Sequence, residues 1–169
     1  KNSLTPVWKK KKFSNINEAI KTVLNISQYE WKNVTNVEME LDPDLPLVPC
    51  YINDFNQAIL NIIANASHAI EDSLESETSQ KGIINIMTKQ NNKWAEIRIT
   101  DSGNGIPDAI RHKIYDHFFT TKELGKGPGQ GLALVHAMIV NKHHGKILLE
   151  TEMGQGTTFT ICLPLENSV

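Results

Sequence analysis

The chain is poor in the features that mark a specialised environment. It has two cysteines, Cys50 and Cys162, far apart and without CxxC spacing. That pattern gives little support to a disulfide framework or a zinc site and fits a reducing cytoplasm. No apolar run approaches the ~18 residues that span a bilayer. The opening Lys1-Asn2-Ser3-Leu4 is polar and carries no secretory signal. The first residue is not Met, so a processed or excised piece is expected. Excess positive charge is also missing. Seventeen basic and 19 acidic residues leave a formal net charge of −2, whereas nucleic-acid-binding domains usually carry a basic surplus. What remains is ordinary: 40% hydrophobic and 21% charged residues over 169 positions, the usage of one globular domain rather than of a disordered chain.

Residues 1–12, with the run Lys9 to Lys12, read as a solvated linker. Ser14 or Asn15 can then cap a helix with Ile16, Ala19, Ile20, Val23 and Leu24 on one face. Val34 to Leu41 alternates as a strand does, Asp42 to Pro46 is a turn-rich break, and Leu47 to Tyr51 suits a short strand. Phe55, Ile59, Ile62, Ile63, Ala66, Ile70 and Leu74 recur at helical spacing, predicting a long helix from Asp54 to Leu74 capped by Asn53 or Asp54. Glu75 to Lys81 is a polar loop. Two alternating runs around Asn91-Asn92 predict a hairpin. After a glycine-rich loop, Asp108 to Asp116 suits a short helix, His117 to Gln130 a mobile loop and Gly131 to Asn141 a helix. Two strands, Lys146 to Glu150 and Thr157 to Leu163, turn at Gly154-Gln155-Gly156. This order predicts an α+β fold, a mixed sheet with helices on one face.

Three clusters carry possible chemistry. Asn61, Asn65 and His68 fall at i, i+4 and i+7 on one helix face, opposite the apolar one. Asparagine forms helices poorly, so a pair in this helix suggests a carboxamide oxygen for a hard cation such as Mg²⁺. A solvated polar face is the alternative. Asp101-Ser102-Gly103-Asn104-Gly105-Ile106-Pro107 follows a strand. It offers either a carboxylate acceptor beside a backbone that a ligand can approach, or a plain tight turn. Gly127-Pro128-Gly129-Gln130-Gly131-Leu132-Ala133-Leu134 leads into a helix whose free N–H groups favour anions. It is either a phosphate cradle or a flexible loop. It is not a Walker A loop, since no Gly-Lys-Ser/Thr follows. His143-His144 has no further metal ligand at suitable spacing.

Together and in this order, the clusters resemble the ATP-binding catalytic domain of sensor histidine kinases, within the wider gyrase, heat-shock chaperone, histidine kinase and MutL ATPase superfamily. Asn61 to Ala66 resembles the N box, Asp101 to Pro107 the G1 box, and Phe118-Phe119-Thr120-Thr121-Lys122 the F box. Gly127 to Leu134 resembles the G2 box, and Gly154 to Phe159 the last glycine box. The resemblance spans roughly Phe13 to Pro164. It implies a two-layer α/β sandwich with ATP held under a lid running from about Thr120 to Gln130. Asn65 would ligate Mg²⁺, and Asp101 would receive the adenine amino group. Gly103 and Gly105 would shape the adenine pocket, and Thr157 would help hold water around Asp101. Gly129, Gly131 and Leu132 would offer N–H groups to the phosphates, and Lys122 would reach the γ-phosphate. The implied cofactor set extends to Ile106, Phe119, Thr120, Thr121 and Gly127. At His68 many relatives carry Lys, Arg or Gln. A neutral imidazole can still donate to a phosphate, with a charge set by pH.

The superfamily's ATP hydrolases place a water-activating Glu where this chain has Asn61. A carboxamide is no general base, which favours phosphoryl transfer. The resemblance therefore implies a protein histidine kinase, with Asn61, Asn65 and Lys122 catalytic and ATP and Mg²⁺ as cofactors. None of the six histidines is followed by Glu or Asp, as the family's acceptor histidine is. The acceptor would lie on a dimerisation domain of the parent protein, joined through residues 1–12 to a catalytic domain of residues 13–169. A response regulator would act downstream, in the cytoplasm. A serine kinase of the anti-sigma-factor type and a non-catalytic nucleotide-sensing module are the alternatives.

Overall fold

The computed structural model describes residues 10–74, 80–103 and 129–166. Its chain order follows the apolar periodicities closely. Strand β1 (Lys12–Ser14) leads into helix α1 (Ile16–Ile26), where Asn15 caps the end by accepting the Glu18 N–H at 3.1 Å. The five residues expected on the inner face of α1 are all buried. A single turn, α2 (Gln28–Trp31), leads to β2 (Thr35–Glu40), and β3 (Val48–Cys50) leads to α3 (Ile52–Ser73).

Helix α3 has 22 residues and would be about 33 Å long. It buries Phe55, Ile59, Ile62, Ile63, Ala66 and Ile70 as one stripe. It starts earlier than its sequence caps suggest. Tyr51 is the N-cap and provides no side-chain cap, so Asn53 and Asp54 lie inside the first turn. Asp54 instead accepts a bond from Lys142 at 2.7 Å.

Strands β4 (Gly82–Asn91) and β5 (Trp94–Asp101) form the expected antiparallel hairpin, turning one residue later than anticipated, with Asn92 at φ 56°. Helix α4 (Gly129–His136) continues as a π-helical segment, Ala137–Lys142, before β6 (Lys146–Glu152) and β7 (Gly156–Pro164). Helix α4 therefore begins two residues before the expected Gly131. The large sheet runs β2-β4-β5-β7-β6, with β2 and β4 parallel and the other pairs antiparallel. Strands β1 and β3 form a separate two-stranded sheet.

The helical layer covers one face of the large sheet. Ile84, Ile86, Ala95, Ile97, Ile99, Phe159, Ile161 and Leu163 alternate inward and join the buried stripes of α1 and α3 and Leu132, Val135 and Ile139. Arg98 and Thr100 on the opposite face are exposed. Among the described residues, no helix is long and apolar enough to cross a membrane.

Candidate ATP-binding site

Two features of the fold bring the end of β5 against α3. Asp101, the last residue of β5, is paired between Ile84 of β4 and Thr157 of β7. Gly103 then crosses α3 at Ala69. A Cβ on Gly103 would lie 2.9 Å from the Ala69 Cβ and 2.9 Å from Asp101 Oδ1. Ala69 is one helical turn beyond Asn65, so the Asp101 turn sits one turn from that carboxamide.

The turn is fixed by its own polar groups. Gly103 N–H donates to Asp101 Oδ1 at 2.8 Å. Ser102 N–H donates to the Ile83 carbonyl, while Ser102 Oγ accepts the Ile83 N–H at 2.9 Å. Asp101 is only 6% exposed. Burial pushes its carboxyl up to about 6 from an ordinary 3.8, against the opposing bonds from the Gly103 and Thr157 N–H groups. Thr157 thus acts on Asp101 directly through its backbone, and its hydroxyl lies 3.1 Å from that of Thr151. Gly156, at φ 126°, makes this approach possible: a Cβ there would collide with the Asp101 carbonyl oxygen.

The polar face of α3 is partly buried rather than freely solvated. Asn61 Oδ1 accepts from Gln57 at 3.4 Å, but its Nδ2 is buried without a hydrogen-bond partner among the described residues. Asn65 Nδ2 is also buried and unpartnered among the described residues. Such groups are uncommon in folded proteins and call for an explanation. With no partner among the described residues, the Asn65 carboxamide is available to a ligand. Its O and N ends are interchangeable by a flip of the amide, so it can present oxygen there. A single carboxamide oxygen suits Mg²⁺, which keeps waters and takes phosphate oxygens as its other ligands. These residues therefore fit a magnesium–nucleotide complex. His68, expected near the phosphates, is partly exposed on α3, and its Nε2 lies 3.9 Å from Glu30 Oε2 on α2, beyond hydrogen-bond distance.

Helix α4 packs against α3, with Leu132 buried at the contact. Gly129, Gly131 and Leu132 belong to its first turn, whose N–H groups have no partner within the helix. Gly105, Ile106, Phe119, Thr120, Thr121, Lys122 and Gly127 lie outside the described residues. So do the expected helix from Asp108 to Asp116 and the lid up to residue 128.

Residues 51–167 match the family described as histidine kinase-, DNA gyrase B-, and HSP90-like ATPase. The chain belongs to this family. It is 35% identical over 133 residues to the sensor histidine kinase ZraS of Escherichia coli (strain K12), a match covering 79% of this chain and 24% of ZraS. It is 39% identical over 127 residues to the signal transduction histidine-protein kinase AtoS of the same strain, covering 75% of this chain and 19% of AtoS. The chain thus spans a quarter or less of either relative. The solved catalytic domain of histidine kinase ThkA superposes with a TM-score of 0.77 at 27% identity, covering 92% of this chain and 98% of that one. The chain is a histidine kinase-type ATP-binding domain of the two-component class, and the mixed sheet with its helical layer is the fold of those catalytic domains.

Sequence reading overlooked several residues that support this ATPase site. Ala69 and Gly156 shape the approaches to Asp101 without any polar group. Ser102 stitches the turn to β4. Glu30 lies near His68 on a helix of four residues, too short for a periodic signal. Ser102, within the Asp101 to Pro107 cluster, and Gly156, within the last glycine-rich turn, left a trace in the sequence.

Proposed function

We propose that the chain binds Mg·ATP between α3, the Asp101 turn and the start of α4, and donates the γ-phosphate to a histidine on a dimerisation domain of its parent protein. The observation that carries this reading is the docking of Gly103 on Ala69, which sets a buried adenine-type acceptor, Asp101, one helical turn from the unpartnered carboxamide of Asn65.

In this reading Asp101 accepts from the adenine amino group, Gly103 leaves room for the base, and Thr157 steadies the carboxylate. Asn65 holds the metal. The first-turn N–H groups of Gly129, Gly131 and Leu132 receive phosphate oxygens. Gly105, Ile106, Phe119, Thr120, Thr121, Lys122 and Gly127 complete the nucleotide contacts, with Lys122 on the γ-phosphate. Bound Mg²⁺ supplies charge neutralisation across the phosphate oxygens. Asn61 withholds a general base from water, so hydrolysis is slow and the phosphoryl group is kept for the acceptor. There the imidazole nitrogen forms the new P–N bond, the bond to the β–γ bridging oxygen breaks, and ADP leaves. Residues 1–12 serve as the linker from the dimerisation domain and 13–169 as the catalytic domain, on the cytoplasmic side. A response regulator is the downstream partner. That reading is supported by ThkA, which is also known in complex with the response regulator protein TrrA.

Radiolabelled ATP tests the proposal, with this chain supplied in trans to the dimerisation domain of its parent at high concentration. The expected product is an acid-labile, alkali-stable label on the added domain and none on this chain. Rapid hydrolysis by this chain alone, or an acid-stable label on serine, overturns it.

A further inference from the structure

At the first turn of α3, β1, the β3–α3 junction and the end of the π-helical segment enclose a groove of about 610 Å³. Lys10, Lys12, Tyr51, Asp54 and Lys142 line it. We propose that this groove docks an extended acidic segment of a partner protein.

The charge balance is the first argument. The whole chain carries a net charge of −2, yet the lining of this groove is net positive, with Lys10, Lys12 and Lys142 against Asp54. Its one lining carboxylate, Asp54, is already neutralised by Lys142 at 2.7 Å. No carboxylate among the described residues pairs with Lys10, Lys11 or Lys12. Two more contacts concentrate the charge on the Tyr51 ring. The Lys11 ammonium lies 5.7 Å from its centroid and the Lys142 ammonium 5.9 Å. Lys142 has Asp54 as its counter-ion, whereas Lys10, Lys11 and Lys12 have none among the described residues, so their mutual repulsion is relieved when an acidic group arrives.

The second argument concerns the shape of the acid. Small-anion sites fix their ligand with a few converging polar groups. Here the cations are lysines, point charges on flexible stems, without the planar fork of an arginine. Lys10 and Lys12 both line the groove, and their backbones are at most about 7 Å apart. Same-side residues of an extended chain are spaced about 6.6–6.8 Å apart. Alternate carboxylates on such a segment would meet successive lysines. The wall that receives them is firm: Tyr51 is pinned behind the groove, its N–H donating to His143 Nε2 at 3.0 Å.

The test uses the full chain and a fluorescein-labelled Glu-Ser-Glu-Ser-Glu-Ser peptide, with an all-serine peptide as control. Anisotropy should show binding that weakens between about 50 and 500 mM salt. Amide resonances of Ser14, Tyr51 to Asp54 and His143 should shift, while those of Asn65 and Asp101 stay in place. Lys10→Glu with Lys12→Glu should weaken the peptide on the order of tenfold or more and leave ATP affinity unchanged. Lys142→Glu provides a second variant on a different element. Shifts scattered over the surface, affinity unaffected by both variants, or a response to inorganic phosphate but not to the peptide would each overturn the proposal.

Discussion

Gly103 lies against Ala69, and that contact sets how near the Asp101 turn comes to Asn65. A new methyl group at residue 103 would meet the Ala69 Cβ, the Ala69 carbonyl carbon at 3.0 Å, and Asp101 Oδ1. None of these is the free end of a flexible chain. Gly103→Ala should therefore cost about 1–3 kcal/mol of stability by overpacking and weaken nucleotide binding as well. Urea unfolding and calorimetric titration with ATP measure the two effects. Adding Ala69→Gly should restore part of both. A Gly103→Ala variant as stable and as tight-binding as the parent would rule out the contact.

Asn65 should separate stability from metal binding. Its buried Nδ2 has no partner among the described residues, so Asn65→Ala removes an unpaired polar group and should change stability by less than about 1 kcal/mol. Binding of Mg·ATP should fall far more than binding of metal-free ATP. Titrations with and without Mg²⁺ decide this, and equal losses would remove Asn65 from the metal site.

Asp101 should select the base. An ionised carboxylate only accepts hydrogen bonds. Adenine offers it an amino donor, whereas guanine presents a carbonyl at the same place. GTP should bind more weakly than ATP by roughly 1–3 kcal/mol, the cost of an unpaired buried polar group. Competition between the two nucleotides reads this out, and equal affinities would refute the role.

The same carboxyl should leave a mark on stability. Its folded pKa of about 6 lies above the ordinary 3.8. Its contribution is therefore full below about 3.8 and is lost as pH rises through 6. Asp101→Asn keeps an acceptor for the Gly103 N–H and cannot ionise. Between pH 4 and 7 the parent should lose up to about 3 kcal/mol relative to this variant. Denaturant midpoints across that range provide the check, and a pH-independent difference would contradict the buried ionisation.

His143 should act in the opposite sense. It is 1% exposed. Its Nε2 accepts the Tyr51 N–H at 3.0 Å, and its Nδ1 lies 2.6 Å from the Met138 carbonyl. A neutral ring with the proton on Nδ1 satisfies both. Burial lowers its pKa below the ordinary 6.5; the Met138 carbonyl and Asp54 oppose the shift, and Lys11 and Lys142 reinforce it. Folded protein holds the ring neutral while unfolded chain takes up the proton. Stability is therefore complete above about pH 6.5 and falls as pH drops. His143→Ala should cost about 1–3 kcal/mol at pH 7.5 through the unpaired Tyr51 N–H, and should remove this part of the acid sensitivity. Urea unfolding at pH 7.5 and 5.5 tests both statements.

Periodicity placed most elements of this protein, but not the short strand β1 or the single turn α2. The apolar spacing in α1 and α3, the alternation in β4 and β5 and the final pair of strands depend on which residues avoid water, and that is a local property of the sequence. The order of its glycine- and asparagine-rich boxes was enough to point to the family. Tertiary structure decided what those boxes are near. Tyr51 is the start of α3, and its N–H is satisfied by His143, 92 residues away, rather than by a local cap at Asn53 or Asp54. His68 and Glu30 come within 3.9 Å because α2 packs beside α3. Asp101 acquired its raised pKa because Gly103 and Gly156, lacking side chains, let α3 and β7 close around it. Each of these outcomes depends on contacts between segments distant in sequence, and no local pattern encodes them.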